Sequence, residues 1–414
     1  MIKFSFALML ICLFTLPVRA QEKLRPKIGI TLSGGGAKGL AHIGILKAID
    51  SAGLKIDYIT GTSMGAIVGA LYAVGYSGND IEKIGREIDW DQLFGNQISF
   101  QTLSMEEKEQ YSRFAIELPY VNNKIKLQTG VIKGQELNLK FAELFFHVSD
   151  VRRFDQFRIP FKCMATDLET GNLVVLDTGN ITTALRATMA IPSIFSAVSV
   201  GDKKLVDGGV VRNFPVKNVK EMGADIVIGS NVSMGLSAKD KIANPIDVIL
   251  QMAFFKEASD FKEEKPLTDY YIYQPMEKYN MGSFTSSDAI LDDGLETGRA
   301  WYPVFKKLAD SLNALPAPAV THTDSIRNHT VFITGYEVTG LKKTSPIFFV
   351  HLMNFDDHKT YTAAQINRSI RRAYGSRYYS NISYSLEHSS PDTARIVFNV
   401  EENPGTHLKA GLYY

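Results

Sequence analysis

The pentapeptide Gly61-Thr62-Ser63-Met64-Gly65 is the first part of the sequence whose residue types could do chemistry. It joins a short apolar segment to a run of small residues, which predicts a strand, a sharp turn and a helix. In that setting a G-x-S-x-G turn presents the serine hydroxyl at the tip of a strained bend. Gly61 and Gly65 avoid collisions with the neighbouring strand and helix. We therefore interpret Ser63 as a nucleophile rather than as part of a merely structural turn.

A glycine-rich loop follows the first predicted strand, with the sequence Ser33-Gly34-Gly35-Gly36-Ala37-Lys38-Gly39. Because the loop opens a predicted helix, its backbone N–H groups suit a phosphate or a tetrahedral oxyanion. A dinucleotide site would need an acid at the end of the next strand, but Ser63 occupies that end and Asp57 begins the strand. A Walker loop is excluded because Gly39 follows Lys38. The sequence therefore favours an oxyanion hole that serves Ser63.

The general base is predicted to be a carboxylate. A serine–histidine enzyme with this turn needs a histidine downstream in the same domain, but His42 and His147 are the only histidines before residue 322. Val206-Asp207-Gly208-Gly209-Val210 follows a predicted strand, and its glycines permit a sharp turn that returns Asp207 toward a cleft. An aspartate within about 2.6–3.2 Å of the hydroxyl can act directly as the base. An ordinary Asp-Gly-Gly turn is the alternative.

Composition narrows the classes of protein that remain. The chain has 414 residues, of which 45% are hydrophobic and 21% charged, so it is a folded chain of roughly two domains. The formal net charge of +1 gives no indication of nucleic-acid binding. Cys12 and Cys163 cannot build a disulfide framework or a thiolate metal site, and we expect no metal and no cofactor.

The N-terminus is typical of a signal peptide. Lys3 precedes an apolar stretch over residues 4–16, and Val18-Arg19-Ala20 places small residues at the −3 and −1 positions of a cleavage site before Gln21. The stretch is too short for a membrane anchor. We therefore assign residues 1–20 to a signal peptide, with Cys12 as apolar filler.

The remaining sequence predicts an α/β layer fold followed by a second unit. Strands are predicted at 27–32, 56–60, 161–166, 172–176 and 226–230, and helices at 37–52 and 64–74. Residues 84–156 are less regular; they contain an Asn122-Asn123 hairpin signal and an apolar helix over 137–145, and could form a lid, a dimer surface or core. After a last helix that includes Trp301 and Leu312, a linker at 313–328 precedes a unit at 329–403, where residues 331–338, 378–386 and 395–400 are predicted strands.

The three motifs, in this order, resemble those of the bacterial patatin-like phospholipases. The glycine loop, the serine turn and the Asp207-Gly208-Gly209 turn carry the resemblance, which covers approximately residues 26–312. Ala187-Thr188 and Ala190-Ile191-Pro192 are similar to a further block of that family, which more usually has Ser where Thr188 stands.

The resemblance implies a three-layer α/β/α fold and a calcium-independent serine–aspartate dyad that hydrolyses acyl esters of lipids. Ser63 would be the nucleophile and Asp207 the base. The oxyanion hole would be the backbone of Gly34, Gly35 and Gly36, completed by Gly39, with Lys38 polarising the loop. His42 is given no catalytic role.

The second unit resembles a POTRA domain, a small α+β periplasmic module with the order β-α-α-β-β that precedes outer-membrane barrels. Residues 407–414 alternate like the start of a barrel strand, so 404–414 is a candidate barrel start. Eight residues cannot form a barrel. Either the sequence is a fragment or the barrel is a separate chain.

Two hypotheses for function follow. The first is an exported lipid acyl hydrolase of the phospholipase A or lysophospholipase type, located in the periplasm, outer membrane or cell surface of a Gram-negative-type cell. Its acyl channel would be walled by helix 137–145 and segment 248–255, unless both are core. The second is a non-catalytic lipid-binding or secretion-accessory module on the same scaffold. Expected partners are a phospholipid or other acyl-ester lipid, with outer-membrane barrel association and a homodimer left open.

Overall fold

The computed structural model describes residues 24–94, 116–121, 124–125, 130–233, 235, 248, 251–252, 254–316, 330–403 and 407–410. The predicted signal peptide lies outside these residues, as does most of the predicted linker.

The N-terminal unit alternates strands and helices. Its strands are β1 (Ile28–Leu32), β2 (Tyr58–Thr62), β3 (Ile116–Val121), β4 (Lys124–Ile125), β5 (Gly130–Ile132), β6 (Phe161–Asp167), β7 (Leu173–Leu176), β8 (Ser193–Phe195), β9 (Val198–Val200), β10 (Lys203–Asp207), β11 (Ile226–Asn231) and β12 (Tyr270–Tyr273). Its helices are α1 (His42–Ala52), α2 (Met64–Ala73), α3 (Gly78–Glu87), α4 (Trp90–Phe94), α5 (Gln135–Leu144), α6 (Ile181–Thr188), α7 (Val216–Glu221), α8 (Phe255–Glu264) and α9 (Ser287–Asn313).

Within the described residues, eight of these strands form the central sheet, in the order β12-β11-β1-β2-β6-β10-β9 with β7 also paired to β6. The strands from β12 to β6 run parallel, and β10 is antiparallel to β6. Every residue of β1 is buried, as expected for a central parallel strand that is covered on both faces. The carboxyl end of β2, where Ser63 follows, therefore opens beside the ends of β1 and β6.

Helices cover both faces of this sheet. Along β11, Ile228 belongs to the main core with α1, α2 and α9, whereas the adjacent Val227 packs in a separate cluster with Val216 and Val219 of α7. Because neighbouring strand residues point to opposite faces, α7 lies on the face opposite α1 and α2. The layers are therefore helix, sheet, helix, as the family resemblance implied.

The helix after the glycine-rich loop begins later than the sequence predicted. Residues Gly36–Ala41 form a 3-10 turn, and the α-helix starts at His42. Gly36 has a φ of 58°, and the N–H of Ala37 donates to the carbonyl of Met281 at 2.8 Å. This bond gives a partner to one of the N–H groups that the start of a helix leaves unpaired, and 3-10 turns are common at such helix starts.

The described part of the segment 84–156 includes a strand pair and a helix. β3 and β4 pair antiparallel, with Val121 opposite Lys124, and the predicted Asn122-Asn123 turn between them lies outside the described residues. Leu137, Phe141 and Leu144 of α5 belong to the main core. Of the three roles considered from sequence, α5 therefore has the role of a packed core helix.

The C-terminal unit consists of β13 (Thr330–Thr339), α10 (Pro346–Met353), β14 (Lys359–Thr362), α11 (Ala363–Gly375), β15 (Tyr379–Ser390) and β16 (Thr393–Glu402). Its sheet has the order β14-β13-β16-β15, with β13 and β16 parallel. Helix α11 begins with a capping box between Thr362 and Gln365, and it buries Ile366 and Ile370. The strands predicted at 331–338, 378–386 and 395–400 correspond to β13, β15 and β16, whereas the short strand β14 was not predicted.

Helix α5 also joins the two units. The side-chain amide of Gln135 exchanges two hydrogen bonds with the backbone of Ile382, at 2.8 and 2.7 Å. Glu136 pairs with Arg371 at 2.8 Å, and Leu139 is buried in the core of the C-terminal unit. The two units therefore share an interface centred on α5.

The end of the chain also contacts the N-terminal unit. A last strand, β17 (His407–Ala410), pairs antiparallel with β3. Across the part of the chain that the structure describes, no helix combines the length and apolar character needed to cross a membrane.

Candidate active site

Ser63 occupies a strained turn between β2 and α2. Its φ is 53° and its ψ is −127°, a conformation that non-glycine residues rarely adopt. Such a residue costs about 1–3 kcal/mol and persists only where its surroundings hold it. The side chain is 5% exposed. This is the geometry of a serine whose hydroxyl is presented at the tip of a bend.

A hydroxyl from α6 holds this turn. The N–H of Ser63 donates to Oγ1 of Thr188 at 3.1 Å, and the Thr188 hydroxyl in turn donates to the carbonyl of Met164. Thr188 therefore links the serine turn to β6. A serine at position 188, which the family more usually has, would offer the same hydroxyl.

Asp207 ends β10 and is fixed from three directions. Its N–H donates to the carbonyl of Ala190 at 2.9 Å, and its carbonyl accepts from Oγ1 of Thr166 at 3.0 Å. Its Oδ1 accepts from the N–H of Gly209 at 2.7 Å. A side chain at Gly208 would collide with the carbonyl of Met164, which explains the first glycine of the turn.

The structure brings Ser63 and Asp207 together. The hydroxyl of Ser63 donates to Oδ2 of Asp207 at 2.7 Å, within the range that proton transfer requires. Asp207 is 3% exposed, and burial raises its pKa to about 7, against the opposing effect of the bonds from Gly209 and Ser63. A base with a pKa near 7 is suited to accept a proton at neutral pH.

The glycine-rich loop lies directly against this pair. A β-carbon at Gly34 would collide with Oδ1 of Asn213 and lie 3.1 Å from Cβ of Ser63. Asn213 holds Gly34 at both ends of the residue: its carbonyl accepts from the Gly34 N–H at 3.2 Å, and its Nδ2 donates to the Gly34 carbonyl at 3.3 Å. Because Gly34 has no side chain, the loop can lie close to Ser63. The N–H of Gly34 is already bonded to the carbonyl of Asn213.

The donors that remain in the loop are Gly35 and Gly36. Among the described residues, no acceptor is bonded to the N–H of either glycine. A β-carbon at Gly36 would collide with the carbonyl of Met281. Lys38 is buried within the 3-10 turn that follows. Of the three consecutive glycines, Gly35 and Gly36 therefore have N–H groups without an acceptor among the described residues, whereas Gly34 does not.

The other predicted glycines permit close packing around the serine turn. A β-carbon at Gly39 would lie 2.6 Å from Cβ of Met64, and one at Gly61 would lie 2.7 Å from Cα of Ala66. At Gly65 a β-carbon would lie 2.5 Å from the carbonyl oxygen of Leu32. Each of these distances is shorter than real carbon contacts, so β1, β2, the loop and α2 can meet only because these residues are glycine.

Neither early histidine contacts the Ser63 hydroxyl. His42 is completely buried, where Nε2 donates to the carbonyl of Ser33 at 2.9 Å and Nδ1 accepts from the hydroxyl of Ser230 at 2.9 Å. Burial lowers the pKa of His42 to about 4, so the ring is neutral at physiological pH. His147 lies edge-on to Tyr76. His42 thus ties the loop to β11, a positioning contact rather than a role in proton transfer.

An apolar cavity begins beside the nucleophile. It is a narrow space of about 30 Å³ lined by Met64, the residue after Ser63, and by side chains of α2, α3, α4 and α5. Leu137, Phe141 and Leu144 of α5 belong to the main core and also line this cavity, and the role of α5 as a channel wall stays a prediction. The other candidate, segment 248–255, is only partly described; its Met252 and Phe255 are exposed and do not line this cavity.

Two residues of the site carried no motif of their own in the sequence. Asn213 contacts Gly34 from far along the chain, and Met281 supplies the carbonyl that meets Gly36 and Ala37. Both contacts join distant segments, so only the folded chain reveals them.

Replacing Gly34 by alanine is expected to lower hydrolytic activity by roughly 10²–10³-fold while the protein remains folded. The added methyl group collides with Asn213 and pushes the loop away from Ser63, so the donors after it lose their position. Steady-state kinetics and thermal unfolding measure the two effects. Gly335→Ala serves as the control, because Gly335 has no positive φ and its β-carbon would meet nothing within 4 Å. Full activity in Gly34→Ala would show that the loop does not serve the serine.

Comparison with known families identifies the N-terminal unit. Residues 30–220 match the family described as patatin-like phospholipase. The chain therefore contains a patatin-like phospholipase domain, which includes the glycine-rich loop, the serine turn and Asp207. The match also supports the mixed α/β patatin-like fold that the sequence predicted.

Curated relatives of the chain are fungal lysophospholipases. It is 24% identical over 316 residues to lysophospholipase nte1 of Emericella nidulans, a match that covers 70% of this chain and 19% of the relative. It is 30% identical over 215 residues to lysophospholipase NTE1 of Coccidioides immitis, covering 51% of this chain and 12% of the relative. The chain thus spans about a fifth or less of the length of these relatives. Together with the family match, they support the expectation of a lipid ester hydrolase.

Solved structures give a weaker comparison. VipD from Legionella pneumophila aligns with a TM-score of 0.39 and 16% identity, over 70% of this chain and 68% of VipD. The type III effector protein ExoU aligns with a TM-score of 0.34 and 13% identity, over 68% of this chain and 54% of ExoU.

Proposed function

We propose that this protein hydrolyses acyl esters of lipids, with Ser63 as the nucleophile and Asp207 as the general base. The observation that carries the proposal is the 2.7 Å hydrogen bond from the Ser63 hydroxyl to Oδ2 of Asp207. Both side chains are buried, and the serine has the backbone conformation of a strained turn. A carboxylate directly bonded to such a hydroxyl can remove its proton without an imidazole.

The reaction proceeds in two displacement steps. In the first, Oγ of Ser63 bonds to the ester carbonyl carbon as its proton passes to Asp207, and the carbonyl oxygen becomes an oxyanion. The N–H groups of Gly35 and Gly36 stabilise that charge. The intermediate then expels the alcohol, which takes the proton from Asp207. An acyl group remains on Ser63.

Water completes the cycle. It attacks the acyl carbon as Asp207 accepts its proton, the oxyanion forms again, and collapse returns the proton to Oγ of Ser63 as the fatty acid leaves. The cycle consumes one water and needs no further reactant. Asp207 must begin each step ionised, so its pKa of about 7 sets the lower limit of working pH.

The acyl chain is proposed to enter the apolar cavity beside Met64. This cavity is lined by apolar side chains of α2, α3, α4 and α5, which suits a hydrocarbon chain. Its volume of about 30 Å³ is smaller than an acyl chain, so the lining side chains must shift as the chain enters. The proposed substrate class is therefore an ester with an apolar acyl group.

The purified chain tests this proposal with two lipid substrates. We expect release of free fatty acid from lysophosphatidylcholine and from diacyl phosphatidylcholine in mixed micelles, measured by mass spectrometry of both products. No release from either lipid, and none from a p-nitrophenyl acyl ester, would favour the non-catalytic lipid-binding or secretion-accessory module instead.

Export and the nature of the C-terminal unit are also part of the proposal. Lys3, the apolar stretch 4–16 and the small residues before Gln21 support cleavage and export. The second unit contains the β-α-α-β-β order expected of a POTRA domain, with the short strand β14 added between its two helices, and this order supports a POTRA-like periplasmic module. Expression in a Gram-negative host should yield a protein that begins at Gln21 in the periplasmic or outer-membrane fraction. An intact Met1 in the cytosolic fraction would contradict export. Outer-membrane association and a homodimer stay predictions.

A further inference from the structure

A polar cavity of about 540 Å³ lies between the patatin-like domain and the C-terminal unit. Helix α6 and residues 196–199 form one wall, and β15 and β16 form the other. The cavity is far larger and more polar than the apolar space beside Met64. The proposed hydrolysis assigns it no role.

Arg186 of α6 is the unusual group in this cavity. It is 5% exposed, and its Nη2 donates to the carbonyl of Lys133 at 3.2 Å. Its Nη1 is buried and has no hydrogen-bond partner among the described residues. The guanidinium lies over the ring of Phe195, 5.4 Å from its centre, and no carboxylate of the described residues forms an ion pair with it. A buried guanidinium with one backbone bond is an unfavourable arrangement unless an anion joins it.

The backbone is shaped to hold this arginine. Gly134 has a φ of 70°, and a β-carbon there would lie 2.9 Å from Cζ of Arg186. Only glycine combines that backbone conformation with that close approach. The burial of Arg186 is therefore built into the fold by a second position, which speaks against an incidental surface arginine turned inward.

The surroundings of Arg186 are positive and rich in donors. Lys133 and Arg152 also line the cavity, and Glu401 is the only carboxylate among the described residues that line it. Burial lowers the pKa of Lys133, and Glu401 opposes that change. Among the described residues that line the cavity, cationic side chains outnumber carboxylates, which favours an anionic ligand.

The C-terminal unit contributes a further donor. Tyr384 of β15 lines the cavity, and its buried hydroxyl has no hydrogen-bond partner among the described residues. Burial raises the pKa of Tyr384, so the phenol stays neutral and can donate. Two unpartnered buried polar groups, one from each unit, thus line the same cavity.

We propose that this cavity binds a phosphate-bearing anion, with Arg186 as its central contact. The fork of a guanidinium matches two phosphate oxygens, and the buried Nη1 of Arg186 has no hydrogen-bond partner among the described residues. A cavity of about 540 Å³ has room for a phosphate together with a small polar group. The phosphate could be that of a small soluble organophosphate or of a lipid headgroup, since both offer the same chemistry to Arg186. Because the walls come from both units, the bound anion also joins them.

Calorimetric titration of the full-length protein with sn-glycerol 3-phosphate tests binding of a soluble phosphate. Arg186→Lys keeps the charge but loses the fork, so it should weaken binding roughly tenfold or more. Tyr384→Phe keeps the ring and its packing, and should weaken binding by a few fold. Arg153→Ala is the matched control, because this neighbour of Arg152 is 64% exposed and lies outside the cavity. It should bind as the wild type does.

A vesicle experiment distinguishes the lipid source. Ser63→Ala protein is sedimented with phosphatidylcholine vesicles that contain or lack phosphatidic acid, and Arg186→Lys is added to that background. Binding of glycerol 3-phosphate that depends on Arg186 supports a soluble ligand. Sedimentation with phosphatidic acid vesicles that depends on Arg186, in a protein that does not bind glycerol 3-phosphate, supports a lipid headgroup. The proposal is overturned if the wild type binds neither glycerol 3-phosphate nor the vesicles that contain phosphatidic acid. It is also overturned if Arg186→Lys and Tyr384→Phe both bind as tightly as the wild type does.

The result stands apart from the proposed hydrolysis. Ser63→Ala should bind glycerol 3-phosphate as tightly as the wild type, so loss of hydrolysis and loss of anion binding are separable outcomes. Hydrogen exchange supplies a second measurement, because ligand binding slows exchange whereas unfolding of a variant would speed it. Glycerol 3-phosphate should slow exchange in both 181–188 and 383–386, and protection confined to one unit would contradict a ligand held between them.

Discussion

Ser63→Ala is expected to lower the rate of fatty-acid release by at least about 10⁴-fold without unfolding the protein. The substitution removes the atom that bonds to the acyl carbon, so the covalent step cannot occur. Alanine fits the space because it is serine without the hydroxyl oxygen. The hydrogen bond that the substitution removes is the one to Asp207. Steady-state hydrolysis of lysophosphatidylcholine measures the loss.

A surface serine supplies the control. Ser51 is exposed, and its hydroxyl donates to the carbonyl of Lys47 within the same helix, so Ser51→Ala should keep full activity. Circular dichroism and the thermal midpoint of Ser63→Ala should stay close to those of the wild type. Substantial hydrolysis by a folded Ser63→Ala protein would remove Ser63 from the mechanism.

Asp207→Asn is expected to lower hydrolysis by roughly 10³–10⁴-fold, since the amide keeps the shape of the side chain but cannot accept the proton. In the wild type, kcat/KM should rise with pH around a midpoint of about 7, because burial raises the pKa of Asp207 to that value. The residual activity of Asp207→Asn should lack this dependence. Asp202→Asn, in the exposed turn between β9 and β10, is the matched control and should behave as the wild type.

The raised pKa of Asp207 makes the free energy of unfolding of the wild type fall as the pH rises toward 7. The folded state holds the Asp207 proton more tightly than the unfolded state, so its stabilising contribution is complete below about pH 4 and is lost as pH rises through about 7. Removing the carboxylate charge of Asp207 should therefore stabilise the folded protein most above pH 7. Asp207→Asn should gain stability relative to the wild type between pH 5 and pH 8, by up to roughly 4 kcal/mol, in urea unfolding. A gain that does not change with pH would contradict a buried, ionised Asp207.

The parts of the site that sequence could predict are those with local signatures. The turn at Ser63, the glycine-rich loop and the Asp-Gly-Gly turn each combine backbone demands with chemistry in a few consecutive residues, and the parallel strands around them follow from apolar runs such as β1. The structure brings Ser63, Asp207 and Gly34 into contact. Their catalytic roles stay predictions until the variants are measured.

The remaining features depend on contacts between distant segments. The carbonyl of Asn213 accepts from the N–H of Gly34, and the carbonyl of Met281 accepts from the N–H of Ala37 at the start of the 3-10 turn. Neither partner has a signature of its own. Likewise, the apolar spacing of α5 predicted a buried face but not that Gln135 and Leu139 would join the C-terminal unit. Periodicity shows that a face is buried without showing what covers it.

The rate at which a fluorophosphonate labels the protein at different pH values tests the central claim most directly, because the label reports the reactivity of the hydroxyl itself. We predict one label per chain, located on Ser63 by peptide mass spectrometry. The rate should increase about tenfold per pH unit below pH 7, level off above it, and fall to a slow, pH-independent value in Asp207→Asn. Labelling at another residue, or an unchanged rate in Asp207→Asn, would contradict activation of Ser63 by Asp207.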